Sequence, residues 1–302
     1  MIETFFGIAE AWEADELGHL NMRYYVERAE QARAAFCGPL GLGGAFKSGA
    51  LSTLVPKQHH VKYHKELRPG DPMRCQTGIV AFDATTITLE HQIFKAPDIL
   101  SCTVVETLAH ISSRTGAEFN WPKRVRDYAN KHISKLSEAA HPRNIDLDYP
   151  PFTPTIKQAK KLGLKVIGRG MFAAHEAGAD GSIRGHALFG RISDSAQNLS
   201  AAWPDILFDP KTGVSGALLE KLAVHRARPK IGDCYVIYSG LRAANTYVRE
   251  LCHWMMDPIS GQCWGSFIGV GCGFDLNTRR LIKTDETALA LLRPNIIPGL
   301  SV

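Results

Sequence analysis

"WEADELGHLNMRYYVERAEQARAAF", residues 12–36, sets a carboxylate, a tight turn and a helix start close together. Asp15 stands three residues before the Gly18-His19 pair. From there Met22, Tyr25, Val26, Ala29, Ala32 and Phe36 recur at helical spacing. Arg23, Glu27, Arg28, Glu30 and Arg33 take the other face, as in an amphipathic helix with a solvated side. Cys37-Gly38-Pro39 is a breaker cluster that ends it. A helix N-terminus carries unpaired N–H groups and a partial positive charge. A carboxylate beside it stays ionised near neutral pH. It can activate water or attack a carbonyl, while the helix end stabilises the oxyanion. Gly18 allows the tight turn. Asp15 and Asn21 also suit ordinary capping, and His19 suits a structural turn.

The same pattern returns later in the chain. "ELRPGDPMRCQTGIV" (66–80) has an echo in "RARPKIGDCYVIYSG" (226–240), with Asp71 and Asp233 162 residues apart. His91 and His253 keep that offset. Upstream, "WEADELGH" (12–19) faces "HEAGADGSIRGH" (175–186) with a drifting offset: 163 for Glu13/Glu176, 165 for Asp15/Asp180 and 167 for His19/His186. Two short insertions account for the drift, which makes Asp180 and His186 the counterparts of Asp15 and His19, and Leu188 that of Asn21. The second helix is expected through Leu188, Ile192, Ala196, Leu199 and Trp203. In "TTITLEHQIF" (85–94) Ile87, Leu89, His91 and Ile93 alternate with polar residues, and 99–112 is rich in β-branched residues, so both read as strands. Residues 82–84 and 95–98 are their hairpin connections. Each half therefore runs strand, helix, then about four antiparallel strands. "KRVRDYANKHISKL" (123–136) is a basic helical segment and "YPPFTPT" (149–155) a proline-rich linker. The expected organisation is a first domain over 1–120, a linker over 121–160 and a degenerate repeat over 161–302.

Composition excludes several classes. No apolar run reaches the ~18 residues of a membrane span. The N-terminus has acids where a signal peptide needs a basic start, so a cytoplasmic location is expected. The seven cysteines form no C-x-x-C pair, which predicts buried thiols and neither disulfides nor a zinc site. The net charge of +5 helps attract an anionic ligand, but no dense basic stripe points to nucleic acid. "GPLGLGGAF" (38–46) follows a helix and has the wrong spacing for a dinucleotide loop. "GVGCGF" (269–274) falls in a strand. There is no Gly-x-Ser-x-Gly elbow and no histidine cluster with metal-ligand spacing. His91, on an apolar strand face, reads as a core residue. Only one of His59 and His60 can face a pocket, because neighbouring strand residues point opposite ways.

A loop of the form Asp-x-x-Gly-His-x-Asn before a long helix (Asp15, Gly18, His19, Asn21), then Pro69-Gly70-Asp71, resembles the hotdog-fold acyl thioesterases of the 4-hydroxybenzoyl-CoA thioesterase-like group. The resemblance is specific in the first ~115 residues and partial in the second half. It implies an α+β fold: two tandem hotdog domains, each a curled antiparallel sheet around one long helix, paired as an intrachain pseudo-dimer. It also implies hydrolysis of acyl-CoA or acyl-carrier-protein thioesters. Asp15, His19 and Asn21 would be the catalytic set, with Gly18 and Met22 at the oxyanion side and Asp180 and His186 at a degenerate second site. No metal and no organic cofactor is implied, since coenzyme A is part of the substrate. Lys57, Lys62, Lys65 and Arg68 are the candidates for its phosphates. Tyr24, Tyr25 and Phe36 either line the acyl pocket or fill core. Homodimers of such double units are common in the family. Two other functions fit the same fold: an enoyl-CoA hydratase or dehydratase, which lacks its Asp-x4-His motif here, and a non-catalytic acyl-CoA-binding protein.

Overall fold

The computed structural model describes residues 1–202 and 213–302. The chain forms two compact units, Met1–His141 with His175–Phe189, and Pro142–Ala174 with Gly190–Val302.

The first unit is built on strands β1 (Ile2–Ile8), β2 (Ser52–Tyr63), β3 (Pro72–Phe82), β4 (Thr86–Lys95) and β5 (Ile99–Ser112). They pair antiparallel in the order β1-β3-β4-β5-β2. Helix α1 (Met22–Phe36) packs on β1, β3, β4 and β5. The basic segment forms α2 (Lys123–His132), with Val125 and Ala129 buried. The core joins Phe36 and Leu40 to Ile79, Ile87, Leu89, Leu108 and Trp121. Alternating apolar residues on β4 therefore meet the apolar stripe of α1, as their spacing predicts. The hairpins fall where expected, between Phe82 and Thr86 and between Lys95 and Ile99.

The second unit repeats the topology. Strands β6 (Lys165–Met171), β7 (Val214–His225), β8 (Cys234–Ala244), β9 (Val248–Met256) and β10 (Cys263–Asp275) pair in the order β6-β8-β9-β10-β7. A short β11 (Arg280–Ile282) adds to β10. Around them lie α3 (Ile156–Lys161), α5 (Ala196–Ala202) and α6 (Glu286–Leu292). Leu222, Val224, Tyr238, Trp254, Ile268 and Val270 make its core. All seven cysteines are unpaired, six of them buried.

Two sequence expectations are corrected. The second helix is not continuous: α4 (Gly185–Ser193) stops before α5 starts at Ala196. At the break the Ser195 hydroxyl donates to the Arg191 carbonyl at 2.8 Å, and Arg191 pairs with Asp194 at 3.1 Å. Side chains of this kind compete with the helical ladder. Trp203 lies outside the described residues. The other correction concerns α1, three of whose five charged residues are not solvated. Arg28, Glu30 and Arg33 are buried. Each has a partner: Glu13 for Arg28, Glu106 for Arg33 at 2.6 Å, and His186 for Glu30 at 2.7 Å.

Glu106 is the centre of the largest of these clusters. Besides Arg33 it contacts His59 Nε2 at 3.2 Å and His91 Nε2 at 3.0 Å. His91 Nδ1 in turn shares a hydrogen bond with Thr77 at 2.8 Å. His91 is thus a core residue, but one held inside an ion network. Burial alone would raise the Glu106 carboxyl, yet Arg33 and the two imidazoles outweigh it and hold it well below its ordinary value. Breaking such a pair strands a buried charge. Glu106→Gln is expected to cost about 3–5 kcal/mol of unfolding free energy. Urea titration checks this, and a loss under ~1 kcal/mol, the level of an exposed pair, would contradict it.

Candidate active site

The loop ahead of α1 is fastened by backbone hydrogen bonds. Asp15 N–H donates to His19 O at 2.7 Å and Gly18 N–H to Asp15 O at 3.0 Å. Asn21 N–H reaches Glu13 O at 2.9 Å and Leu20 N–H reaches Leu67 O at 2.7 Å. The last bond ties the loop to the β2–β3 connection, which also returns to β1 through Ala9 N–H on Asp71 O at 3.0 Å. Gly18 has φ of +74°, the left-handed conformation that glycine adopts without strain.

Asp15 is half-buried in this loop. Its Oδ1 accepts from the N–H groups of Leu17 at 2.9 Å and His19 at 3.1 Å. Among the described residues nothing donates to its Oδ2. One oxygen thus fixes the carboxylate while the other stays open to water or substrate. The Tyr25 hydroxyl lies within electrostatic range of Asp15. Burial first, then neighbouring groups including Asp15, push it above its ordinary value, so it stays a neutral phenol. It accepts from Leu67 N–H at 3.3 Å.

The other expected residues take distinct places. His19 is buried, with Nε2 3.2 Å from Glu66 Oε2. Asn21 is the N-cap of α1, its side chain accepting from Arg23 N–H at 3.1 Å. Met22 is the first helical residue. Tyr25 and Phe36 are buried in core, whereas Tyr24 is half-buried beneath the Arg23 guanidinium. His59 and His60 are both buried, and His59 belongs to the Glu106 network. Lys57 pairs with Glu118 at 3.1 Å, and Lys62 donates to His141 O at 2.6 Å.

The second loop is not offset by insertions. Gly178 N–H donates to Ser182 O at 2.9 Å, Gly181 N–H to Gly178 O and Arg184 N–H to Glu176 O, both at 3.0 Å. The Ala14–Leu20 bridge recurs as Ala177–Ile183. These repeat the first loop's bonds at a constant offset of 163. Gly178 therefore stands where Asp15 stands, Gly181 where Gly18 stands, Ser182 for His19 and Arg184 for Asn21. The pairing of Asp180 with Asp15 and of His186 with His19 is corrected accordingly. Asp180 is exposed at the position of Leu17 and accepts from Ser182 N–H at 3.1 Å. The Gly-His match misled because Gly181, not Gly185, has the positive φ.

His186 instead joins Glu30. Its N–H and Nδ1 meet the two Glu30 oxygens at 3.1 and 2.7 Å, so the carboxylate lies at the start of α4. Burial would raise Glu30, but the charges of His186, Arg33 and His59 bring it from 4.5 down to about 2. Sequence reasoning missed Glu30 and Glu106 as buried groups. Glu106 had a signal, since alternation along β5 puts it on the face of Val104 and Leu108.

With the geometry in hand, the chain can be set beside known proteins. Residues 9–128 match the Thioesterase-like superfamily, which shows the resemblance carried by the Asp15 loop. A search of curated protein sequences returns no match. The fold is similar to an acyl-ACP thioesterase from Bacteroides thetaiotaomicron VPI-5482, at 12% identity over 88% of this chain and 96% of that one, TM-score 0.65. It is also similar to the 12:0-ACP thioesterase from Umbellularia californica, at 8% identity over 89% of this chain and 93% of that one, TM-score 0.66. The hotdog-type antiparallel architecture of those thioesterases is therefore shared.

Two outcomes follow. Gly18→Ala forces a Cβ into the left-handed region and is expected to cost about 1–2 kcal/mol, read by urea titration. No measurable cost would contradict that loop geometry. Glu30, with its pKa lowered on folding, stabilises fully above about pH 4.5 and loses that contribution as pH falls toward about 2. The Tm gap between wild type and Glu30→Gln should therefore narrow across that window. A gap independent of pH would contradict it.

Proposed function

We propose that the chain is an acyl thioesterase that hydrolyses acyl-CoA or acyl-carrier-protein thioesters at the Asp15 loop. The observation that carries this is the Asp15 carboxylate, pinned through Oδ1 by two backbone N–H groups and open at Oδ2. It sits just ahead of the N-terminus of α1, within the stretch that matches the Thioesterase-like superfamily. The acyl-ACP substrates named for the two similar structures support a carrier-borne or CoA-borne acyl group here.

In this reading a water at Oδ2 gives its proton to the carboxylate as its oxygen attacks the thioester carbonyl carbon. The carbonyl oxygen gains charge toward the positive end of α1, at Met22. The tetrahedral intermediate then collapses, the C–S bond breaks, and the thiolate takes the proton back to leave as the free thiol. Direct attack by Oδ2 gives a mixed anhydride that water hydrolyses to the same products. Buried His19 and half-buried Glu66 form a polar pair that orients the loop, and Asn21 fixes the helix end. Gly178 in the second loop offers no carboxylate, which leaves one working site per chain. The pairing of the two repeats as a pseudo-dimer belongs to the same proposal, supported by their shared strand order.

Asp15→Asn tests the reading, because an amide oxygen can accept the same two N–H bonds while removing the base. Thiol release from a panel of short, long and aromatic acyl-CoAs and an acyl carrier protein thioester is expected to fall about 10²–10⁴-fold. The Tm should be unchanged. Equal turnover in wild type and variant would overturn the role of Asp15.

A further inference from the structure

The net charge of the chain is concentrated in one stretch. Residues 149–175 hold Lys157, Lys160, Lys161, Lys165 and Arg169 and neither Asp nor Glu. The rest of the chain holds 30 Lys and Arg against 30 Asp and Glu, so this stretch accounts for the whole +5. All five cationic residues are exposed. Among the described residues none of the five has a carboxylate partner. Lysines are a common guard for a sheet edge. Yet β1, the matching edge strand of the first repeat, has Glu3 and neither lysine nor arginine. The fold therefore does not require the charge.

The five cations lie together in the second unit. Lys157, Lys160 and Lys161 are on α3, whose Ala159 joins Leu164 in one core cluster with Val236 and Tyr238 of β8. The register of β6 sets Val166 beside Tyr238, Arg169 beside Val236 and Met171 beside Cys234. Val166, Arg169 and Met171 therefore stand at the edge of the sheet face on which α3 packs. Lys165 is the first residue of β6. The β7–β8 turn closes on the far end of β6: Phe172 N–H donates to Asp233 O at 2.9 Å and Gly232 N–H to Phe172 O at 3.0 Å, which brings Ile231 alongside. Apolar side chains project among the cations. Leu162 is 38% exposed, Val166 41%, Ile231 51% and Met171 56%. Exposed apolar groups gathered inside a charged surround mark an interaction surface.

We propose that this α3–β6 face binds an anionic lipid surface. Four of its five cations are lysines, point charges on flexible stems, which suit a fluid layer of phosphates. Fixed carboxylates on a protein partner favour the planar fork of arginine instead. At the headgroup boundary the ammonium groups meet phosphate while Leu162, Val166, Ile231 and Met171 enter the apolar layer. Each cation held at such a surface strengthens binding about fivefold. This inference does not rest on the thioesterase reading.

Flotation of the full chain with vesicles tests it, using phosphatidylcholine alone and phosphatidylcholine mixed with phosphatidylglycerol. The chain should bind the mixed vesicles, leave them as salt rises, and ignore phosphatidylcholine alone. Lys157→Gln, Lys160→Gln and Lys161→Gln combined should weaken binding about 100-fold. Met171→Ser should weaken it on the order of tenfold. Lys47→Gln, Lys131→Gln and Lys135→Gln combined remove the same charge from exposed positions elsewhere and should bind as wild type does. Wild-type Tm in both triple variants shows that the fold is intact. Absence of binding to the mixed vesicles, equal binding to phosphatidylcholine alone, or equal weakening in the two triple variants would overturn the proposal. An acyl carrier protein is titrated in parallel. Its capture through Lys157, Lys160 and Lys161 without vesicle binding would assign the face to an acidic protein and overturn the lipid reading.

Discussion

The central constraint is that the buried part of α1 carries three charged residues, Arg28, Glu30 and Arg33. A helix can keep buried charges only if each is paired, because an unpaired buried charge is far costlier than its loss. Arg28 meets Glu13, Arg33 meets Glu106 and Glu30 meets His186. Each pair ties the helix to a different piece of chain. Glu13 is in the loop ahead of the helix, Glu106 on β5, and His186 at the start of α4. Apolar packing would hold the helix against the sheet, but directional pairs also fix its rotation and its position along its own axis. Under the proposed function the Arg28–Glu13 pair matters most. It anchors the loop that carries Asp15 to the helix whose N-terminus lies beside it.

Much of this was legible in the sequence, and the reasons are local. Alternation of Ile87, Leu89 and Ile93 gave β4, the spacing of Tyr25, Val26, Ala29 and Phe36 gave α1, and Gly18 marked the turn. The fates of Arg28, Glu30 and Arg33 were not legible. Periodicity sorts residues by polarity, and a charged residue with a distant partner looks the same as a solvated one. Glu106 was the available warning, a carboxylate in register with apolar neighbours. The loop register failed for a related reason. Matching Gly-His letters placed the second turn at Gly185, whereas backbone conformation places it at Gly181. The conserved quantity between the loops is the hydrogen-bond pattern, which tolerates Gly178 for Asp15 and Ser182 for His19.

The duplication has therefore kept the scaffold and divided the chemistry. Strand order, the loop bonds and the Gly-Asp returns at Asp71 and Asp233 are shared. The carboxylates are not. Asp15 and Glu106 occur in the first repeat, and the matching positions in the second hold Gly178 and Gly269. The second loop therefore has no carboxylate at the position of Asp15.

The most direct measurement is a crystal structure with a non-hydrolysable acyl-thioester analogue in which a methylene separates the carbonyl from sulfur. The account predicts the analogue's carbonyl carbon about 3–3.5 Å from Asp15 Oδ2, or one water away, with its oxygen toward the N-terminus of α1. An analogue bound with its carbonyl remote from Asp15 would contradict it.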